Sequence, residues 1–210
     1  MRVLAHRGIW HVTMEKNTRQ ALRRAFMAGF GAETDVRDLD GELVISHDMP
    51  RQGALPFATV LEDYARAGQP GCLALNIKAD GLAEAVGQLL KFHGITNYFC
   101  FDMSVPDTLT YLHAKLVTAS RLSEYEPEGL LSDLTQVLWI DGFNDLCVSV
   151  TRLQNWLENG KQVCLVSPEL HGRHPVALFH QLAVLPDSLR RHPSLMLCTD
   201  LPVEAREIFG

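Results

Sequence analysis

The sequence predicts an α/β protein, a single (β/α)8 TIM barrel that spans residues 1–210. Three observations favour this fold class. Short apolar segments alternate with helix-like segments almost to the end of the chain. Eight such alternations point to a closed parallel barrel, because an open doubly wound sheet usually has fewer strands. No repeat, low-complexity segment or linker divides the chain, whose length suits one substantial domain.

The first half of the chain supplies four of these alternations. Arg2–His6 is apolar and stops at Gly8, which predicts the first strand. Residues 17–30 have helical spacing, with an apolar stripe made by Ala21, Leu22, Ala25 and Phe26. Residues 32–46 form one strand region, turned at Asp40-Gly41. The predicted elements that follow are helix 57–67, strand 72–78, helix 81–93, strand 98–101 and helix 106–114.

The second half continues the pattern. Its predicted strands cover residues 116–120, 137–140, 163–166 and 195–198, and its predicted helices cover residues 128–134, 150–159 and 176–185, with a short helix at the end. At 210 residues the chain is near the lower limit for such a barrel. The connections are therefore expected to be short.

Composition excludes several classes of function. A net charge of −6 argues against sequence-independent binding of nucleic acid, which needs basic surface. No apolar stretch approaches the ~20 residues of a membrane helix, and charge appears too early for a signal peptide. The cysteines are odd in number and never spaced as CxxC, so we expect buried free thiols and a cytoplasmic protein. They are Cys72, Cys100, Cys147, Cys164 and Cys198.

Charged and polar residues follow the predicted strands. In a parallel barrel the active site lies at the carboxyl ends of the strands, and a packed barrel mouth would not hold this much charge without a purpose. From the first half of the chain these residues are His6, Arg7, Glu33, Asp35, His47, Asp48, Asn76, Lys78 and Asp102. From the second half they are Arg121, Asp141, Glu169, His171 and Asp200.

Glu33 and Asp35 are two residues apart and therefore share one face of a strand. Two carboxylates so close repel each other unless a proton or a cation intervenes, and Mg²⁺ or Ca²⁺ prefers such oxygen ligands. On spacing alone, a solvated pair at a strand edge is the more common explanation. His6 and His47 flank this pair and suit a general acid and a general base, although a single histidine near a strand end is more often structural.

Arg7 and Lys78 are the candidate phosphate contacts. The guanidinium of Arg7 can fork onto a phosphate through two hydrogen bonds, and Lys78 offers a compact second charge. The alternative for Arg7 is an ion pair with a neighbouring carboxylate. Taken together, these residues indicate a phosphodiester site more strongly than any of them does alone.

Several motifs resemble the glycerophosphodiester phosphodiesterase family. They are Leu4-Ala5-His6-Arg7-Gly8, Asn17-Thr18, Gly31-Ala32-Glu33-Thr34-Asp35-Val36, Gly41-Glu42-Leu43-Val44 and His47-Asp48, with weaker matches at Leu75-Asn76-Ile77-Lys78 and Cys198-Thr199-Asp200-Leu201-Pro202. The family belongs to the TIM-barrel phosphodiesterases that include phosphatidylinositol-specific phospholipase C. The order and spacing of the stronger motifs match over roughly the first quarter of the chain.

The resemblance implies a role for each matching residue. His6 and His47 would be the acid and base, Glu33 and Asp35 would bind a divalent cation, Mg²⁺ or Ca²⁺, and Arg7 and Lys78 would contact the phosphate. The implied activity is hydrolysis of a small glycerophosphodiester-like substrate, with no nucleic-acid partner and no membrane insertion. The alternative is a catalytically degenerate barrel that binds a phosphorylated ligand or partner. The sequence leaves the oligomeric state open.

The sequence departs from the family pattern at three places. Asn76 stands where the family usually has a metal-binding Glu, so the charge of the cation site falls. The family's Glu-Asn-Thr is Lys16-Asn17-Thr18 here, and residues 49–71 are too few for the usual insertion subdomain. Glu169 follows a later strand, and we hypothesise that it restores the lost carboxylate or positions the substrate.

Overall fold

A computed structural model describes residues 1–144 and 148–209 of the protein. Within these residues ten strands and nine α-helices alternate in a mostly parallel α/β arrangement, which confirms the predicted fold class. The chain divides into two compact units. The N-terminal unit is Ala5–Thr118, and the C-terminal unit joins Met1–Leu4 to Ala119–Gly210. That the whole chain acts as a single domain stays a prediction.

The N-terminal unit holds most of the elements predicted for the first half of the chain. Its strands are β1 (Arg2–His6, whose first residues belong to the other unit), β2 (Gly31–Leu39), β3 (Glu42–Ile45), β4 (Leu55–Pro56), β5 (Leu73–Ile77) and β6 (Tyr98–Phe101). Its α-helices are α1 (Arg19–Met27), α2 (Phe57–Arg66), α3 (Ala83–Phe92) and α4 (Val105–His113), and Thr13–Glu15 forms a 3₁₀ turn.

Strand β2 organises the sheet of this unit. It pairs in parallel with β5, which in turn pairs in parallel with β6. Beyond Asp35 it also forms an antiparallel hairpin with β3 across the turn at Asp40-Gly41. The segment after the hairpin holds only β4 and α2 before β5 begins, so no subdomain is inserted there.

Helix α1 shows how the sequence sets an element and its packing. The hydroxyl of Thr18 accepts a hydrogen bond from the amide of Ala21, which caps the first turn and starts the helix two residues after the predicted position. The predicted apolar stripe is buried in full. Its Phe26 packs edge-to-face on Tyr64 of α2 at a ring distance of 5.2 Å, which fixes α1 on its neighbour.

The C-terminal unit repeats the alternation with four parallel strands. These are β7 (Ala119–Leu122), β8 (Val137–Ile140), β9 (Gln162–Val166) and β10 (Leu195–Thr199). The α-helices are α5 (Leu130–Leu134), α6 (Val150–Glu158), α7 (Val176–Ala183), α8 (Asp187–Arg190) and α9 (Pro202–Phe209), and Pro168–His171 is a second 3₁₀ turn. Its core joins Leu138, Leu165 and Leu197 of the strands to Trp156 and Phe179 of the helices.

One predicted strand is displaced. The sequence places it at residues 116–120, whereas β7 covers Ala119–Leu122. The amide of Leu116 donates to the carbonyl oxygen of Tyr111, so Leu116 closes the end of α4 and is not part of a strand. Thr118 takes part in an isolated parallel bridge with Cys100, outside β7.

The cysteines of the described residues match the expectation from the sequence. Cys72, Cys100, Cys164 and Cys198 are buried and form no disulfide bond, while Cys147 lies outside the described residues. Burial raises the pKa of the Cys100 thiol far above its ordinary value. Over residues 1–144 and 148–209, no helix combines the length and apolar character needed to cross a bilayer.

Candidate active site

The candidate site lies in the N-terminal unit, on β1, β2, β5 and the segments that follow β1 and β3. In the parallel register Asp35 of β2 lies directly opposite Asn76 of β5. Glu33 is two residues before Asp35 and therefore points to the same side of the sheet. The alternation of the strands thus places three oxygen-bearing side chains on one face.

The loop after β1 owes its shape to Arg7 and Gly8. Both residues have positive φ angles, 57° and 90°. The amide of Arg7 donates to the carbonyl oxygen of Glu33 at 2.9 Å, which holds the loop on β2. A Cβ on Gly8 would lie 2.5 Å from the backbone of Ala21, so only glycine lets the loop pass this close to α1.

Asp35 is the centre of the site. Its side chain is fully buried and has cations on both sides: Arg7 Nε lies 2.9 Å from Oδ2, and Lys78 Nζ lies 3.4 Å from Oδ1. Lys78 also approaches Asp102 at 3.9 Å. The two predicted phosphate contacts are therefore brought together, and both are paired with a carboxylate.

Asn17 belongs to the site but was not among the residues predicted to form it. Its Nδ2 donates to Asp35 Oδ2 at 2.7 Å, and its Oδ1 accepts from the hydroxyl of Thr34 at 2.8 Å. Its amide donates to the carbonyl oxygen of Arg7 at 3.0 Å. With a φ of 61°, Asn17 adopts the left-handed conformation that Asn tolerates better than most residues. The only sequence signal was the Asn17-Thr18 motif.

Glu33 is the second buried carboxylate. Its Oε2 lies 3.7 Å from Nε2 of His6, beyond hydrogen-bond length but close enough for electrostatic interaction. Burial, and after it the negative charge of Asp35, raises the pKa of the Glu33 carboxyl well above its ordinary value, against the opposing charges of Arg7 and Lys78. Burial and the neighbouring carboxylate therefore both disfavour the charged form of Glu33.

The donor set fits a hard divalent cation. Glu33 Oε2, Asp35 Oδ1 and Asn76 Oδ1 are buried and have no hydrogen-bond partner among the described residues. Buried polar atoms are normally satisfied, and oxygen donors of this kind are what Mg²⁺ and Ca²⁺ prefer. No group of three or more His, Cys, Asp or Glu side chains within residues 1–144 and 148–209 is arranged to hold a metal ion. The third donor here is an amide, so the set carries one charge fewer than three carboxylates would.

His47 follows β3, at the end of the hairpin. The amide of Ser46, the preceding residue, donates to the carbonyl oxygen of Asp35 at 3.1 Å, which ties this end of the hairpin to the site. The imidazole is half exposed, and its Nδ1 lies 2.8 Å from Oδ1 of Asp48. The hydrogen bond with His47 lowers the pKa of the Asp48 carboxyl.

Glu169 lies in the C-terminal unit, in the 3₁₀ turn that follows β9. Its carboxylate accepts hydrogen bonds from the hydroxyls of Ser167 and Thr199 and, at 3.0 Å, from the amide of Asp200. These bonds fasten the turn after β9 to the end of β10. The metal-binding or substrate-positioning role of Glu169 stays a prediction.

The protein is similar to solved structures, although comparisons of its sequence find no match. Neither a protein-family model nor a curated protein matches the chain. A glycerophosphodiester phosphodiesterase from Agrobacterium tumefaciens is similar in structure with a TM-score of 0.69 and 16% identity, covering 98% of this chain and 99% of that one. An Oleispira antarctica phosphodiesterase in complex with the product sn-glycerol-3-phosphate has a TM-score of 0.68 and 17% identity, covering 99% of this chain and 96% of that one.

A more distant similarity reaches the phospholipases. A Ca²⁺-dependent phosphatidylinositol-specific phospholipase C from Streptomyces antibioticus has a TM-score of 0.55 and 12% identity, covering 99% of this chain and 96% of that one. These structures agree with the resemblance carried by the motifs around His6, Glu33 and His47. The chain has the barrel fold of the glycerophosphodiester phosphodiesterases.

Proposed function

We propose that this protein is a divalent-cation-assisted phosphoric diester hydrolase that acts on glycerophosphodiester-like molecules. The observation that carries the proposal is one buried group in which Arg7 and Lys78 meet Asp35, while Glu33 Oε2 and Asn76 Oδ1 have no hydrogen-bond partner among the described residues. Such a group offers positive charge for a phosphate beside ligands for a hard cation. A structural relative bound to sn-glycerol-3-phosphate supports a small phosphodiester as the ligand.

Glu33, Asp35 and Asn76 would hold the cation, Mg²⁺ or Ca²⁺. When bound, such a cation polarises the phosphoryl oxygens and makes the attacking hydroxyl a better nucleophile. Because the pKa of Glu33 is raised, a proton competes with the cation for this carboxylate, so the affinity is expected to increase with pH.

Arg7 and Lys78 would bind the phosphate by exchanging partners. Both side chains form ion pairs with Asp35, Arg7 with Oδ2 and Lys78 with Oδ1. A phosphodiester oxygen can take the place of the carboxylate at either cation, and charge-assisted hydrogen bonds of this kind are among the stronger ones in proteins. Asn17 keeps its bond to Asp35 Oδ2 and so holds that carboxylate in place.

His6 and His47 would move the protons. One imidazole takes the proton of the attacking hydroxyl as its oxygen bonds to phosphorus. The other gives a proton to the leaving alkoxide as its bond to phosphorus breaks. When Nδ1 of His47 donates to Asp48, Nε2 is the nitrogen that exchanges a proton.

Substitution of the histidines tests this assignment. We expect His6→Asn and His47→Asn to lower kcat on a glycerophosphodiester by about 10²- to 10⁴-fold, the usual contribution of general acid–base catalysis. His11→Asn is the matched control, because His11 is exposed in the loop that follows His6 and Arg7. Turnover that survives both substitutions, or that falls equally in the control, would contradict the proposed roles.

The alternative, a barrel that only binds a phosphorylated ligand, gains no support from the comparisons. It predicts phosphate-ester binding without turnover in any variant. The histidine experiment separates the two functions, because only the hydrolase loses a product signal on substitution.

A further inference from the structure

The C-terminal unit contains a cavity of about 370 Å³. Helix α6 contributes Leu153 to its wall, α7 contributes Leu178 and Leu182, and the strands β8 and β9 contribute Ile140 and Leu165. A volume of this size is within the range of small-molecule sites, at roughly 300–1,000 Å³. None of the residues predicted for the candidate active site lines it.

The lining of the cavity is mostly apolar, and its ionisable side chains are basic. Among the described residues that line it, none is Asp or Glu, whereas Arg173 and His174 are both present. The guanidinium of Arg173 is fixed by donation to the carbonyl oxygens of Gly142 and Asn144. Its Nε is buried and has no hydrogen-bond partner in the described chain. Arg173 therefore brings a fixed positive charge to a wall that has no carboxylate among its described residues, which favours a ligand with an anionic head.

We propose that this cavity binds a single-chain amphiphile with an anionic head, a fatty acid or a monoalkyl phosphate. Leucine, isoleucine and valine side chains would enclose the alkyl chain, and Arg173 would face the head. The apolar wall and a volume within the range of small-molecule sites suit an alkyl chain of medium length, for which a decyl chain is the probe. The proposal does not depend on the proposed hydrolysis.

Calorimetric titration of the full chain with four probes tests the ligand class. The probes are decanoate, decyl phosphate, decylammonium and butyrate. We expect saturable binding of decanoate, decyl phosphate or both, and the tighter of the two identifies the head. Decylammonium should bind at least about tenfold more weakly because Arg173 repels it. Butyrate should bind more than about a hundredfold more weakly, because it lacks most of the apolar chain.

Two phenylalanine substitutions on one helix locate the site. Ala177 and Ala183 are both exposed on α7, but Ala177 lines the cavity and Ala183 does not. Ala177→Phe should weaken binding of the anionic amphiphile by at least about tenfold, and Ala183→Phe should leave it within about twofold. Circular dichroism of both variants checks that the fold is kept.

A second pair of variants tests the charge. Arg173→Gln should weaken the anionic probes but not decylammonium, and Arg173→Lys should restore part of the lost affinity. The proposal is overturned if neither anion binds saturably, or if decylammonium binds as tightly as the anions. Equal affinity in Ala177→Phe and Ala183→Phe would also overturn it.

Discussion

Asp35 shows how a single buried carboxylate can hold a site together. Arg7, Lys78 and Asn17 all converge on its two oxygens. Removing one member of a buried ion pair leaves its partner uncompensated, which costs roughly 3–5 kcal/mol. Asp35 therefore stabilises the folded N-terminal unit as well as serving the proposed chemistry, and its substitution would not separate the two roles.

Substitution of Asn76 separates the structural role from the proposed role in cation binding better than substitution of Asp35 does. Asn76→Glu adds a carboxylate beside Asp35 in the register of β2 and β5, so we expect the affinity for Mg²⁺ or Ca²⁺ to increase by about tenfold or more. Asn76→Gln is the matched control, since it has the same length as Glu but no charge. Calorimetric titration with the cation alone measures both. A Glu variant that binds no more tightly than the Gln variant would exclude Asn76 from the cation site.

The sequence predicted that Glu33 and Asp35 share a face of the sheet but not which groups they contact. The two-residue spacing of Glu33 and Asp35 was sufficient to predict a shared face, because strand geometry is regular. The contribution of Asn17 was not predictable in the same way. It depends on a left-handed backbone and on a turn that brings residue 17 back to Arg7, and neither feature follows from local spacing.

Between elements, helices α1 and α2 are joined by a bidentate ion pair. Arg19 Nε donates to Asp63 Oδ2 at 2.6 Å and Nη2 donates to Oδ1 at 2.9 Å. These hydrogen bonds lower the pKa of the Asp63 carboxyl, which is itself buried. A carboxyl with a lowered pKa in the folded state stabilises the fold at pH values above its unfolded pKa. This stabilisation is lost as the pH falls through the folded pKa.

Asp63→Asn should therefore destabilise the protein by about 1–2 kcal/mol at pH 7, and the difference should shrink as the pH falls below the ordinary carboxyl pKa of about 3.9. Urea unfolding at a series of pH values measures it. Glu62→Gln is the control, because Glu62 forms an exposed ion pair with Arg66 that contributes little. If the difference between Asp63→Asn and wild type did not change with pH, the ion pair would not be the cause.

The apolar pattern predicted most elements, and the misses have physical causes. Helix α1 agrees with its stripe because one face packs on the core, and packing follows the 3.6-residue period. The strand predicted at 116–120 was displaced because hydrophobicity alone does not show where α4 ends. Helix α8, of four residues, has too few residues for any period to be visible.

For the molecule as a whole, burial of the thiols provides a test of the packing in both units. Cys72 and Cys100 lie in the N-terminal unit, and Cys164 and Cys198 lie in the C-terminal unit. Because buried structural thiols are shielded from reagents, a Cys147→Ser variant should show almost no labelling by a disulfide reagent when native. In urea all four should react. Rapid labelling of the native variant would mean that one unit opens readily.

The fold is shared with solved phosphodiesterases at only 16–17% identity. Such a likeness is expected when hydrophobic pattern, turn positions and strand register determine the architecture and leave most side chains free to vary. The sequence could therefore predict the class of fold. It could not predict the cavity beside α6 and α7, because a cavity arises from the fit between helices and not from any one segment.

The most direct test of the proposed hydrolase is a phosphorus NMR time course with a glycerophosphodiester. Wild-type protein with Mg²⁺ or Ca²⁺ should convert the diester signal into a monoester signal. Chelator, or the combined His6→Asn and His47→Asn substitutions, should abolish the conversion. An unchanged diester signal with every cation, from protein that is folded by circular dichroism, would contradict the account.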